Sequence, residues 1–304
     1  MYRLEYGVPT DKCALSVRLG IENGFFRDEG IDLSVRVVFS GPAIAAAYDS
    51  GDLQLGEIGS PPAVAHISSG FDFRIIGGGL RRKAHMYLCV GKSIRTWEEL
   101  KGKRLGLLSR GSCPEWFMRG MLKARGFDPE THVQYVGLLK DYPRVVEMFR
   151  EGRIDAFLCG EPAPSVAELE GLVDVWCAVL DEPSLPQVQW IVQVAKPAFV
   201  EKEPELVRAT LRACSRSGHY AARNVDEWVD FGARQFGIAR PAADRAIRRE
   251  LPHLHLDGQV DMDGLQEIIQ LQDSLGAIVK PISAESISDL RFVPQVSAVT
   301  GVTG

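Results

Sequence analysis

From Tyr2 onward, short apolar runs alternate with longer stretches of helical period, and Gly, Ser or Pro sits at most junctions. Tyr2 to Val8 reads as a strand and Asp11 to Asn23 as a helix, with Ala14, Leu15, Val17, Leu19 and Ile21 on its apolar side and Gly24 stopping it. Ile31 to Phe39 is a second strand, leading into Ser40-Gly41-Pro42, where Ser suits the N-cap and Pro the first turn. Leu53 to Ile58 runs into Gly59-Ser60-Pro61-Pro62 with the same device, and Phe71 to Ile76 runs into three glycines at 77 to 79. A similar series follows Met86 to Val90: a short helix at Trp97 to Gly102, a strand at Arg104 to Leu108, and a turn and helix from Ser109 to Arg125. Then come a strand at His132 to Val136, a helix at Tyr142 to Gly152, a strand at Ile154 to Cys159, a helix from Glu161-Pro162 and a strand at Val173 to Ala178. Val188 to Val194 is apolar, and from Lys202 the period is helical, with starts near Pro204, Pro241 and Asp261 and a small, polar tail after Arg291.

This order predicts two α/β lobes. The first comprises 1–88 plus 190–304, and the second, 89–189, is inserted between strands near 88 and 190 that cross between them. A length of 304 residues exceeds what a single core usually serves. In open, mostly parallel sheets the ligand lies beyond the carboxyl ends of the strands, which here places it in the cleft between the lobes.

The charge balance of 35 Lys plus Arg against 40 Asp plus Glu, without a basic run, argues against a nucleic-acid partner. No stretch approaches the roughly 18 to 20 apolar residues that span a bilayer, so membrane insertion is not expected. The six cysteines, at 13, 89, 113, 159, 177 and 214, lack metal or disulfide spacing. No dinucleotide fingerprint, P-loop, HExxH or Ser-His-Asp pattern appears, and neither cofactor nor metal is expected.

Four segments carry a family resemblance: VRLGIENGFFRDEGIDLSV at 17–35, GEIGSPPAVAHISSG at 56–70, WEELKGKRLGL at 97–107 and EGRIDAFLCGEP at 151–162. They resemble the periplasmic solute-binding proteins of ABC importers that take nitrate, alkylsulfonates, taurine or aminopyrimidines. The resemblance implies a type II periplasmic-binding-protein-like fold with two hinge-crossing strands, a small organic ligand of sulfonate, carboxylate or aminopyrimidine type, and an ABC permease as partner. Members are exported behind a leader, whereas this sequence opens on a strand at Met1. A trimmed leader would place it in the periplasm, and a chain complete from Met1 in the cytoplasm. Enzymes similar to these binding proteins include a sulfinate desulfinase with a cysteine in the first strand-to-helix loop. Here Cys13 is the nearest cysteine, but Asp11 falls closer to that place counting back from Gly24-Phe25. A cytoplasmic lyase, decarboxylating or desulfinating a small aromatic acid, is thus the alternative, with Cys13, His85 and Arg81 as participants; a cytoplasmic ligand sensor is a third reading.

In the cleft, Ser40, Ser60 and Ser112 fall where strands give way to helices, points whose exposed N–H groups suit oxyanions, although an N-cap role alone accounts for each. With them come Gly41, Gly59, Pro61, Ser109, and the carboxylates Asp11 and Glu161, the latter suited to an amino group or to a helix start. Arg81 could clamp an anion in bidentate fashion or lie on the surface with Arg82. Trp190 could stack on a ring or simply pack. Cys13 and Cys113 lie near helix N-termini, where the dipole lowers a thiol pKa, against the alternative of buried small hydrophobes. His85 is the better general-base candidate, and His66 reads as structural.

Overall fold

A computed structural model describes residues 1–79 and 83–293; Arg81, Arg82 and residues 294–304 fall outside the described residues. Two five-stranded mixed sheets form the frame. The first contains β1 (Tyr2–Val8), β2 (Ile31–Val37), β3 (Leu55–Gly59), β4 (Arg74–Gly77) and β10 (Ile191–Ala195), in the order β2-β1-β3-β10-β4. The second contains β5 (Met86–Gly91), β6 (Arg104–Leu107), β7 (Gln134–Gly137), β8 (Ala156–Gly160) and β9 (Val173–Ala178), in the order β7-β6-β8-β5-β9.

The two sheets share one plan. β1 pairs in parallel with β2 and β3, as β6 does with β7 and β8. β10 lies antiparallel between β3 and β4, and β5 lies antiparallel between β8 and β9. β3 and β8 are buried at every position, Glu57 of β3 included, and β8 accordingly reads as an apolar run rather than as alternation.

Loops after the carboxyl ends of β1, β2, β3, β6, β7 and β8 lead into helices α1 (Leu15–Glu22), α3 (Gly41–Ser50), α4 (Ser60–Ser68), α5 (Cys113–Ala124), α6 (Val145–Arg150) and α7 (Ala163–Leu169); the one-turn α2 (Phe25–Asp28) follows α1. Each loop therefore faces the gap between the sheets. The C-terminal helices are α8 (Pro197–Lys202), α9 (Pro204–Arg223), α10 (Val225–Phe236), α11 (Arg240–Glu250) and α12 (Met262–Ser274). α9 packs on α1 and α12 on α4, whereas α11 reaches across to α7, beyond the second sheet. Leu15 and Leu19 of α1 share a core with Trp228, Val229 and Ile247 of α10 and α11.

Several boundaries differ from the sequence expectation for local reasons. The helix expected over Asp11 to Asn23 begins only at Leu15, because residues 11 to 14 form turns in which the Cys13 N–H donates to the Thr10 carbonyl at 3.2 Å. The helix expected over Tyr142 to Gly152 splits into a tight turn over Leu139–Arg144 and α6, since Pro143 lacks the N–H that would continue it. Met86–Gly91 and Ile191–Ala195 each belong to one sheet only.

Candidate functional site

Two hollows lie between the sheets. The inner, of about 60 Å³, is enclosed by the loops after β1, β3, β6 and β8 together with Met86 and Trp190. The outer, of about 630 Å³, lies between Thr10–Lys12 and Phe39 on one side, α6 and α7 on another, and the α10–α11 turn from Phe236 to Ala242. They meet at Thr10, Lys12, Tyr142, Gly160 and Glu161.

Of the residues singled out in the sequence, Gly41, Gly59, Ser112, Cys113, Trp190 and Cys13 line the inner hollow, Asp11 lines the outer, and Glu161 lines both. Ser40, Ser60, Pro61 and Ser109 line neither. Their polar atoms face the protein. Ser40 caps α3, its Oγ accepting from the Ala43 N–H at 2.9 Å. The Ser60 hydroxyl donates to the Gln189 carbonyl while its N–H donates to the Trp190 carbonyl at 2.6 Å. The Ser112 hydroxyl donates to the Ser109 carbonyl, and the Pro61 carbonyl accepts from Gln272 Nε2 at 2.8 Å. Ser60→Ala should therefore lower unfolding free energy by about 1 to 2 kcal/mol, since the Gln189 carbonyl loses a buried donor, and leave the affinity for anything bound in the hollows unchanged. Parallel denaturation and binding titrations check both halves.

His85 is completely buried, its ring 6.1 Å from that of Trp190 and 5.4 Å from that of His253, and it lines neither hollow. His66 takes the structural role, its Nδ1 2.7 Å from the Pro62 carbonyl oxygen. At the start of α5, burial pushes the Cys113 thiol up to about 12, against the lowering expected of a helix N-terminus, and the Trp190 indole beside it partly offsets the rise. Arg81 lies outside the described residues.

The charges at the neck are tied to one another. Lys12 Nζ donates to Glu250 of α11 and, at 3.2 Å, to the His85 carbonyl, and stands 5.3 Å from the centre of the Trp190 ring. Glu161 accepts from Arg249 at 2.9 Å and from the Ser165 N–H at 3.0 Å. Arg249 also donates to Glu168, which Arg245 approaches at 3.1 Å. Burial raises the pKa of Glu161, with Lys12 opposing the rise. At Glu168 burial also acts upward, but the Arg249 hydrogen bond and charge prevail and the carboxyl lies below its usual range. The network joins the first strand loop, the second sheet and α11, and so holds the two lobes across the cleft.

The lobes meet on glycines. A Cβ added at Gly59 would lie 2.0 Å from Cys113 Sγ, and one at Gly160 would lie 2.3 Å from Lys12 Nζ. At Gly59 the neighbour is a short side chain and the close approach favours hydrogen, whereas at Gly160 it is the flexible end of Lys12, which can move aside.

Sequence reasoning missed Lys12, Tyr142, Phe39 and the α10–α11 turn. Lys12 sits between Asp11 and Cys13, both singled out, so its position was readable although its partner Glu250 was not. The turn at 236–242 reaches the cleft only through tertiary packing. Among the described residues no His, Cys, Asp and Glu cluster could hold a metal ion, and no helix is long and apolar enough to cross a membrane.

Comparison with known proteins agrees with this architecture. The chain is 27% identical over 208 residues to the taurine-binding periplasmic protein of Escherichia coli (strain K12); the match covers 68% of this chain and 63% of that protein, somewhat under two thirds of its length. Its fold is that of the alkanesulfonate-binding protein SsuA from Xanthomonas axonopodis pv. citri bound to MOPS, with a TM-score of 0.75, 18% identity and coverage of 92% and 94% of the two chains. A mutant of DSZB in complex with biphenyl-2-sulfinic acid also shares the fold, at a TM-score of 0.63, 18% identity and coverage of 96% and 97%. The family described as NMT1/THI5 like matches residues 16–227, most of both sheets, and the chain belongs to that family.

Proposed function

We propose that the protein is a solute-binding protein that closes its lobes over a small organic molecule and delivers it to the permease of an ABC importer. The observation that carries this reading is the cleft itself, whose walls come from both lobes, meet at Gly59 and Gly160, and are joined by the pairs that Arg249 makes with Glu161 and Glu168. The relatives named for taurine and alkanesulfonate binding support it.

The test is thermal-shift screening against alkylsulfonates, aromatic acids and aminopyrimidines, followed by small-angle scattering and product analysis for each hit. A ligand that compacts the protein and is recovered unchanged is the expected result. Release of sulfite or carbon dioxide would sink it.

A further inference from the structure

We propose that the free edge of β2 pairs with the same edge of a second copy of this chain, antiparallel and about a two-fold axis at Ser34, so that the first sheets of two molecules run on as one. This is independent of the solute-binding reading. The sheets end in the edge strands β2 and β4 of the first and β7 and β9 of the second. An exposed edge carries a row of unpaired backbone groups that can accept another strand, and proteins blunt such edges by covering, bulging or shortening them. Among the described residues all but β2 are blunted. β4 is covered at Ile75, whose N–H donates to the Ile287 carbonyl at 3.0 Å and whose carbonyl accepts from the Asp289 N–H at 2.7 Å. β7 has only four residues. β9 breaks register at Trp176, with Val175 opposite Cys89 and Cys177 opposite Leu88. β2 runs for seven residues, IDLSVRV, in unbroken register with β1 and without a proline.

The direction of its backbone groups follows from the two ends. The Tyr2 N–H donates to the Gly30 carbonyl at 2.8 Å and the Val38 N–H to the Val8 carbonyl at 2.9 Å. Successive residues of a strand turn their peptide groups to opposite sides, so even-numbered residues serve β1 while Leu33 and Val35 turn N–H and C=O to the edge. Among the described residues no group meets them there. Ile31 faces the same way but is fully buried, so the open stretch begins at Leu33. About Ser34 this strand is its own complement: Leu33 and Val35 flank it, and Asp32 and Arg36 lie one step further out. An antiparallel two-fold there sets Leu33 against Val35 of the partner subunit as a hydrogen-bonded pair and Asp32 against Arg36 of the partner subunit as a non-hydrogen-bonded pair, with Cα atoms about 4.5 Å apart. Both charges already have partners within the chain, Asp32 with Arg3 at 3.8 Å and Arg36 with Asp52 at 2.7 Å and Glu5 at 3.5 Å. Yet the side chains of Asp32 and Arg36 stay 58% and 39% exposed, and exposed pairs of this kind contribute little. The ladder supplies the attraction and the charges select the register. A two-fold at Leu33 or Val35 would leave Asp32 and Arg36 unmatched.

The experiment is sedimentation velocity of the full chain from micromolar to near-millimolar concentration, where a monomer–dimer equilibrium is expected. Asp32→Arg and Arg36→Asp, made separately, each set like charges face to face at both symmetry-related positions and should weaken the dimer about tenfold. Combined in one chain they rebuild opposite pairs with the signs exchanged and should restore it. Val35→Pro removes an N–H that the second copy needs and β1 does not use, so it should keep the chain monomeric while the melting temperature of dilute, monomeric protein changes little. A chain that is monomeric at every concentration, its edge left to some other strand, would overturn the proposal. So would a dimer indifferent to the single charge changes, or one that the double variant fails to restore.

Discussion

Gly59→Ala should weaken solute binding about 10- to 100-fold and leave the melting temperature of the unliganded protein nearly unchanged. Gly59 has φ −67° and ψ 141°, extended backbone that alanine adopts without strain. Its new Cβ would have ordinary room except toward Cys113 Sγ, 2.0 Å away, with Pro62 next at 3.5 Å. Cys113 begins α5, beyond the second sheet, so the clash exists only while the lobes are together. Overpacking of this kind costs about 1 to 3 kcal/mol, which falls on the closed state and therefore on affinity. Gly59 also lines the inner hollow, and a direct clash with the ligand would give the same loss. Cys113→Ala separates the two: it removes the sulfur and should restore most of the affinity in the double variant if closure is what failed. Scattering should show Gly59→Ala remaining expanded at a ligand concentration that compacts the parent. Unchanged affinity, or no rescue by Cys113→Ala, would remove the glycine seam from the account of closure.

Much of the frame was legible because its signals are local. Gly59-Ser60-Pro61-Pro62 marks a strand end and helix start by composition alone, and β8 announces itself as a continuous apolar run. Cleft residues were legible to the extent that backbone position decides them: Gly41, Gly59, Ser112 and Cys113 were found because they follow strands, and they do line the inner hollow. Which way a side chain turns is a different matter. Ser60 was expected to serve a ligand, yet its hydroxyl is taken by the carbonyl of Gln189, a residue 129 positions away that no local pattern connects to it. The same limit applies to charge. Glu161 looked available for an amino group, but Arg249, 88 positions later on α11, already holds one of its oxygens. At Cys113 two opposing effects meet, a helix dipole that acts as a fractional charge and a burial that raises the thiol, and only the first is visible in the sequence.

Arg249→Met should destabilise the fold by about 3 kcal/mol at neutral pH, and the deficit should shrink as pH falls through the carboxylate range. Glu161 has only 3% of its side chain exposed and Arg249 26%, so removing the guanidinium leaves a desolvated carboxylate with Lys12 as its nearest remaining cation. Breaking such a pair from one side costs about 3 to 5 kcal/mol, and the lower figure applies because Arg249 is partly solvated and Lys12 persists. The pH dependence follows from the two acids that Arg249 serves. In the parent, burial already raises Glu161, so its contribution is fullest below the ordinary carboxylate pKa and declines as pH rises; Glu168, held low, contributes above that range and loses it in acid. Arg249 lowers both pKa values, so its loss penalises only the ionised forms. The difference between parent and variant is therefore greatest where both are ionised and smallest where both are protonated. Chemical denaturation at pH 7 and at about pH 4 measures it. A deficit that is the same at both pH values would mean that Arg249 acts through packing, for instance on the Tyr87 ring 5.2 Å away, and not through charge. Arg249→Met combined with Glu161→Gln should recover part of the loss at neutral pH, because a neutral amide no longer demands a cation there. Recovery in the double variant without restored solute affinity would further show that the pair joins the lobes and does more than fill the space between them.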